Sequence, residues 1–264
     1  MIDRERCRPY RAPGLASVFA VALALAVSAC SAGGRGTGRA DATAPATTRS
    51  PAALPSAAAP PALTPAQAQA ALITGADLGE AWGPSLGAAT WRDELLKATA
   101  EHPDCRRLLD VLYTEDLFGA APAPRATAAL DDHAGGAQLH YRITSYRAAE
   151  LDRALAWLGT LPDTCGHFTG EAGRGGVRDV RVTGVTLPEA GDARQGVRVT
   201  VTGTTADAGP VVLTVDLAAV RTGDDAITLT NGTLGEAAED VTLTAVEVGT
   251  ARLTEIRRQG RAQV

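Results

Sequence analysis

The chain has 264 residues, 21% of them charged, and a net charge of −5 from 25 basic and 30 acidic side chains. That mildly acidic balance fits poorly with binding nucleic acid or anionic lipid by charge, because neutralising phosphates takes clustered cations. The length suits one large domain or two small ones, and 45% hydrophobic residues supply a core even though aromatics are only 4%.

Residues 1–29 read as a lipoprotein signal peptide. Arg4, Arg6, Arg8 and Arg11 precede an apolar run from Leu15, and the run exits through Val27-Ser28-Ala29-Cys30. Small residues before a cysteine form a lipobox, so the Cys30 thiol is expected to carry the acyl anchor. The run is nearer 15 residues than the ~20 that cross a bilayer, and no Arg-Arg pair supports a twin-arginine route. An ordinary cleaved signal or an uncleaved anchor is the rival reading. Removing four arginines and two acids with the leader takes the net charge from −5 to −7.

Residues 30–63 read as the lipidated Cys30 and a disordered linker rich in Ala, Pro and Thr. The segment has no hydrophobic period and too little apolar surface to offset the entropy of ordering it. As a coil its ends would lie roughly 30 Å apart, and fully extended it would approach about 100 Å. Its Thr and Ser residues beside Pro are candidate O-glycan sites.

Residues 64–264 form the folded part. Thr64-Pro65 opens a helix as N-cap and first residue, with Ala68, Ala71, Leu72 and Ile73 on its apolar side and Gly75 as its end. Ala76 to Gly79 reads as a turn. Trp82 and Trp91 flank a Gly/Pro-rich loop, and such residues more often close a core than stack on a ligand. A second helical region runs from Arg92 to Tyr113, broken near Pro103 and capped afresh by Asp104. Cys105, Leu108, Leu109 and Leu112 share its face. Phe118 is assigned to the core.

Arg125 to Asp131 and Gln138 to Tyr146 pair as a hairpin around Asp132–Gly136. In the second strand Leu139, Tyr141, Ile143 and Ser145 alternate with His140, Arg142, Thr144 and Tyr146. Ala148 to Leu161 is an amphipathic helix, ended by Pro162, with Leu151, Ala154, Leu155, Leu158 and Leu161 on one face. Residues 170–176, Gly- and charge-rich, read as a connector lacking either phosphate-loop pattern. From Val177 to Leu187, with a bulge at Gly184, and through three more alternating runs to Leu229, short turns favour an antiparallel meander. A last helix spans Val241 to Arg258, capped by Asp240, with Val246, Gly249, Leu253 and Ile256 inward and Arg252, Arg257 and Arg258 toward its negative end. The fold class is therefore α+β: a largely antiparallel sheet of about five or six strands packed by helices.

Four cysteines divide between compartments. Cys7 lies in the leader and Cys30 takes the lipid, which leaves Cys105 and Cys165 to form one disulfide outside the cytoplasm. A metal or catalytic thiol is the weaker alternative, since no CxxC occurs and His102 and His167 are the only histidines near in sequence.

No catalytic set emerges. GxSxG and HExxH are absent, Ser85 and Ser145 lie in no nucleophile elbow, and His102, His133, His140 and His167 lack metal-ligand spacing. His140 reads as a solvated or cross-strand residue. The acid pairs Asp131-Asp132, Asp224-Asp225 and Glu239-Asp240 fall at turns or caps. No cofactor and no metal are expected.

The order of elements resembles the extracytoplasmic sensor domain of the mycobacterial Ser/Thr kinase PknH and the lipoproteins that carry the same domain. The likeness rests on LITGADLG at 72–79, YRITSYRAAELDRALAWLGTLPDTCGHF at 141–168, GDARQGVRV at 191–199 and AAVRTGDDAITLTNG at 218–232. It implies a ligand cleft and a sensor-like, non-catalytic role at the outer face of the cell membrane. The PknH domain carries two disulfides, whereas this chain has cysteines for one. The single lysine, Lys97, against 24 arginines points to GC-rich coding, as in actinobacteria. The expected partners are the bilayer, through Cys30, and a small molecule, cell-wall fragment or envelope protein. The alternatives are an envelope enzyme with dispersed catalytic residues and a structural or adaptor lipoprotein.

Overall fold

The alternating runs become strands of one sheet, and its two faces are covered by different helices. The computed structural model describes residues 62–119, 125–173, 176–205 and 209–262. The leader, Cys30 and the linker as far as 61 lie outside the described residues. Leu63, read as the end of the linker, is already buried against the domain, and Arg125 donates to its carbonyl.

Helix α1 (Pro65–Ala70) starts at Thr64 with the expected cap, completed by Gln67 reaching back to the Thr64 N–H. It ends earlier than Gly75, which instead opens the short α2 (Gly75–Leu78). A three-residue strand β1 (Trp82–Pro84), a π-helical turn (Arg92–Leu96) and a two-residue strand β2 (Ala98–Thr99) follow. Helix α3 (Pro103–Thr114) takes His102 as N-cap, so Asp104 lies inside the first turn and is not the cap.

Next come β3 (Ala126–Asp132), β4 (Gln138–Ser145) and α4 (Ala148–Thr164). Pro162 does not end α4. It sits in the last turn, and the Cys165 N–H still reaches the Leu161 carbonyl at 2.7 Å. Strands β5 (His167–Ala172), β6 (Gly176–Val185), β7 (Ala193–Thr205), β8 (Gly209–Thr222) and β9 (Asp225–Leu234) precede the terminal helix α5 (Glu239–Ala262). Asp240 therefore lies within α5 and does not cap it.

The strands form one antiparallel sheet of nine, in the order β1-β3-β4-β9-β8-β7-β6-β5-β2. The fold is α+β as read, with three strands more than the six runs in the sequence. β1 and β2 are too short to show a period, and β5 was hidden by the Gly-rich stretch that begins at its Gly170, which sits against Ala98, Leu109 and Arg178. No bulge occurs at Gly184, which pairs in unbroken register with Val197.

Side-chain alternation sorts the core into two layers. On one face Val197, Val199 and Val201 of β7 lie opposite Leu217, Val215 and Leu213 of β8, beneath the leucines of α3 and α4. On the other, Leu139, Tyr141 and Ile143 of β4 join Ile227 and Leu229 of β9, with Ala218 and Val220, under α1 and α5. From Leu213 to Val220 the central strand β8 is buried on both faces.

Two devices fix the helices. Cys105 and Cys165 form a disulfide, S–S 2.08 Å, which ties the start of α3 to the end of α4. Beneath α5, Asp216 is 1% exposed and receives two hydrogen bonds from Arg198, at 2.7 and 3.0 Å, and one from Thr242 of α5 at 2.8 Å. A buried carboxylate so fully partnered sets the position of the helix above it.

The disulfide spans 60 residues, so replacing both cysteines by serine is expected to destabilise the domain by about 4 kcal/mol in the chain-entropy picture. Urea unfolding checks this. Equal midpoints for the two proteins would show that the crosslink adds nothing.

Candidate functional site

The cover on the α3/α4 face stops where α3 stops. Beyond Thr114 the face-side residues of β3, β4 and β9 (Thr127 and Ala129, His140 and Arg142, Thr228 and Thr230) have no helix above them. They form the floor and one wall of a cavity of about 150 Å³, with Glu115 and Leu117 as the opposite wall. Thr228 and Thr230 are buried in its floor, while Thr127 and Ala129 stand at an exposed rim.

Glu115 makes this possible. It follows α3 in the left-handed region, φ 60°, and among the described residues no other non-glycine has a positive φ. That conformation costs about 1 kcal/mol for a side chain with a Cβ. A carboxylate at the negative end of a helix is a second unfavourable feature.

Two arginines and a histidine compensate. Arg92, carried by the buried π-turn between Trp91 and Leu95, places Nη2 2.7 Å from the Glu115 carboxylate. The same nitrogen donates to the Tyr113 carbonyl at 3.1 Å and to that of Leu112 at 3.4 Å, so it also satisfies orphan carbonyls of α3. His140 Nδ1 lies 2.7 Å from the same Glu115 oxygen, and Arg142 lies 3.8 Å from the other.

Burial pushes the Glu115 carboxyl up, but the His140 hydrogen bond and the charges of His140, Arg92 and Arg142 outweigh it and hold the group below its ordinary value. The His140 Nε2 nitrogen is buried and, like Glu115 Oε1, has no hydrogen bond of good geometry among the described residues.

His140, expected as a solvated or cross-strand residue, is largely covered at 23% side-chain exposure and lies against Glu115. Its face of the sheet is outward only in the sense that α5 lies on the other. Glu115 and Arg92 were not singled out at all, since no local pattern shows that residues 23 apart will meet. The remaining candidates are not brought together. His167 pairs with Asp179 at 2.6 Å on the surface, and His133 stands over Gly83. His102 lies within 4.8 Å of the Cys105 and Cys165 sulfurs, but these are bonded to each other and offer no thiolate to a metal. Trp91 is buried against Gly232 as a core residue, and Trp82 is half-buried in β1. Asp225 is 1% exposed, bonded to Arg257 and Ser145, so it is a buried ion-pair partner rather than a turn acid.

No protein-family profile and no curated protein matches the sequence. Among solved structures, the chain is similar to the extracellular domain of PknH from Mycobacterium tuberculosis, with 13% identity and a TM-score of 0.43 over 74% of this chain and 97% of that one. It is also similar to a putative uncharacterized protein from Rhizobium leguminosarum, with 10% identity and a TM-score of 0.26 over 51% of this chain and 99% of the other. At these values neither likeness fixes what the chain does. Among the described residues, no helix is long and apolar enough to cross a membrane.

Glu115→Gln removes the charge that gathers Arg92, His140 and Arg142. It is expected to destabilise the domain at pH 7 by about 2 kcal/mol, less than for a fully buried pair because the carboxylate is 16% exposed. The Glu115 value is depressed in the folded state. Its contribution is therefore complete above the ordinary value of 4.5 and is lost as pH falls through the lower folded value. Denaturant midpoints from pH 7 to pH 2.5 should fall less steeply for Glu115→Gln than for the wild type. Parallel curves would remove Glu115 as a source of acid sensitivity.

Proposed function

We propose that the chain is a lipid-anchored, extracytoplasmic, non-catalytic ligand-binding domain of sensor type, and that its ligand occupies the cavity beside Glu115. The observation that carries this reading is the cavity itself: a concave site whose wall and floor bring a carboxylate, a guanidinium, an imidazole and two buried threonines together on rigid elements, with Arg92 clasping the carboxylate from behind. Support for the location comes from the Arg-flanked apolar run that ends at Cys30 and from the disulfide.

A second reading is favoured by one contact. Glu115 and His140 form a carboxylate–imidazole pair, the arrangement that orients a general base. Against it, His140 Nε2 has no hydroxyl within reach among the described residues, and Glu115 is shared with two arginines. An envelope hydrolase is therefore the weaker alternative, and an adaptor without a ligand has no use for the cavity.

The full-length chain, purified in detergent and incubated with envelope extract, is expected to carry a small molecule detectable by mass spectrometry after release. Ala129→Trp, at the exposed rim, fills the mouth without disturbing the core and should abolish capture. Recovery of the same molecules from both proteins would refute the cavity as the site, and recovery of cleaved products would support the hydrolase. Incorporation of labelled palmitate is expected in the wild type and absent in Cys30→Ala.

A further inference from the structure

If the cavity beside Glu115 is the ligand site, its chemistry limits what can enter, and we propose that it selects a small carboxylate bearing a hydroxyl on the adjacent carbon, the 2-hydroxy acid class. In this arrangement the carboxylate lies on Arg142 and the hydroxyl pairs with His140 Nε2.

Size is the first restriction. A cavity of about 150 Å³ is that of an engineered protein cavity that accepts a benzene ring, which corresponds to roughly six heavy atoms. A whole sugar or a peptide does not fit, whereas a two- or three-carbon acid does.

Charge is the second. Among the residues lining or clasping the site, Arg92 and Arg142 face one carboxylate, Glu115, so the two arginines leave the site with a net positive charge. The two arginines are not equivalent. Arg92 is committed to Glu115 and to the carbonyls of Leu112 and Tyr113. Arg142 lines the cavity, is a quarter exposed, and among the described residues has its one ionic contact with Glu115 at 3.8 Å, beyond hydrogen-bond range. Its planar fork of donors is therefore available to a bidentate anion, and carboxylate geometry matches it.

The third restriction is an unpaired polar atom. His140 Nδ1 lies 2.7 Å from Glu115, and buried Nε2 has no partner among the described residues. A polar atom left bare in such a place costs free energy until it is paired, and a hydroxyl can either donate to it or accept from it. His140 and Arg142 are two residues apart on β4, so their side chains rise from the same face. A carboxylate on Arg142 thus carries its adjacent hydroxyl toward Nε2. Thr228 and Thr230, the cross-strand neighbours of Arg142 and His140, supply further hydroxyls in the floor.

Titration calorimetry of the full-length chain in detergent tests this with four probes: lactate, propionate, 1,2-propanediol and inorganic phosphate. Lactate is expected to bind, propionate to bind roughly threefold to tenfold more weakly for want of one neutral hydrogen bond, and propanediol to show no binding. Arg142→Gln should weaken lactate at least about tenfold, and Arg142→Lys should restore part of the loss. Unchanged thermal unfolding of both variants separates recognition from folding. Absence of lactate binding, equal binding of lactate and propionate, phosphate binding as tight as lactate, or indifference to Arg142→Gln would each overturn the proposal. These results leave the wider reading standing if envelope capture still depends on an open Ala129 rim. Loss of that dependence would remove both.

Discussion

A carboxylate at the wrong end of a helix is the constraint from which the site follows. Glu115 closes α3 in a left-handed conformation, where both its backbone and its charge are unfavourable, and it is held there by cations from two other parts of the chain. Because the helix ends at that point, one corner of the sheet is left uncovered. Because the cations converge there, that corner is polar rather than greasy. Strain and pairing of this kind are commonly concentrated where a protein binds something.

The rest of the architecture holds that corner still. β8 is buried on both faces, so neither helical layer can shift without disturbing the strand on which both rest. The disulfide keeps α3 and α4 together on the cavity side, and Asp216 with Arg198 and Thr242 keeps α5 registered on the other. Arg92 joins the cavity to the core. Its stem emerges from a buried turn beside Trp91, and its head satisfies the end of α3, so the cavity wall is continuous with the core.

Much of this was legible in residue order. Period two exposed six strands, and period 3.6 exposed α3, α4 and α5, because each has one face turned to a core. The disulfide followed from arithmetic on four cysteines. What escaped was of two kinds. β1 and β2 are too short to carry a pattern, and Gly170 of β5 opens a stretch that imitates a loop while letting neighbouring side chains approach the backbone. The site escaped because it is assembled from Arg92, Glu115 and a strand face beginning at His140. Each looks ordinary alone: an arginine in a helical run, an acid after a helix, a histidine on the polar side of a strand. Their meeting is a property of the topology, which puts β4 and β9 beyond the end of α3.

The way the domain begins has a mechanical implication. Leu63 and α1 pack on the α5 side of the sheet, where Arg125 grips the Leu63 carbonyl and Arg252 grips both Asp77 and the Leu72 carbonyl. A pull applied ahead of Leu63 would be borne by those contacts and would pass into α5 and β3. The cavity opens on the opposite face of the sheet, so a pull on the chain ahead of Leu63 would leave its geometry undistorted.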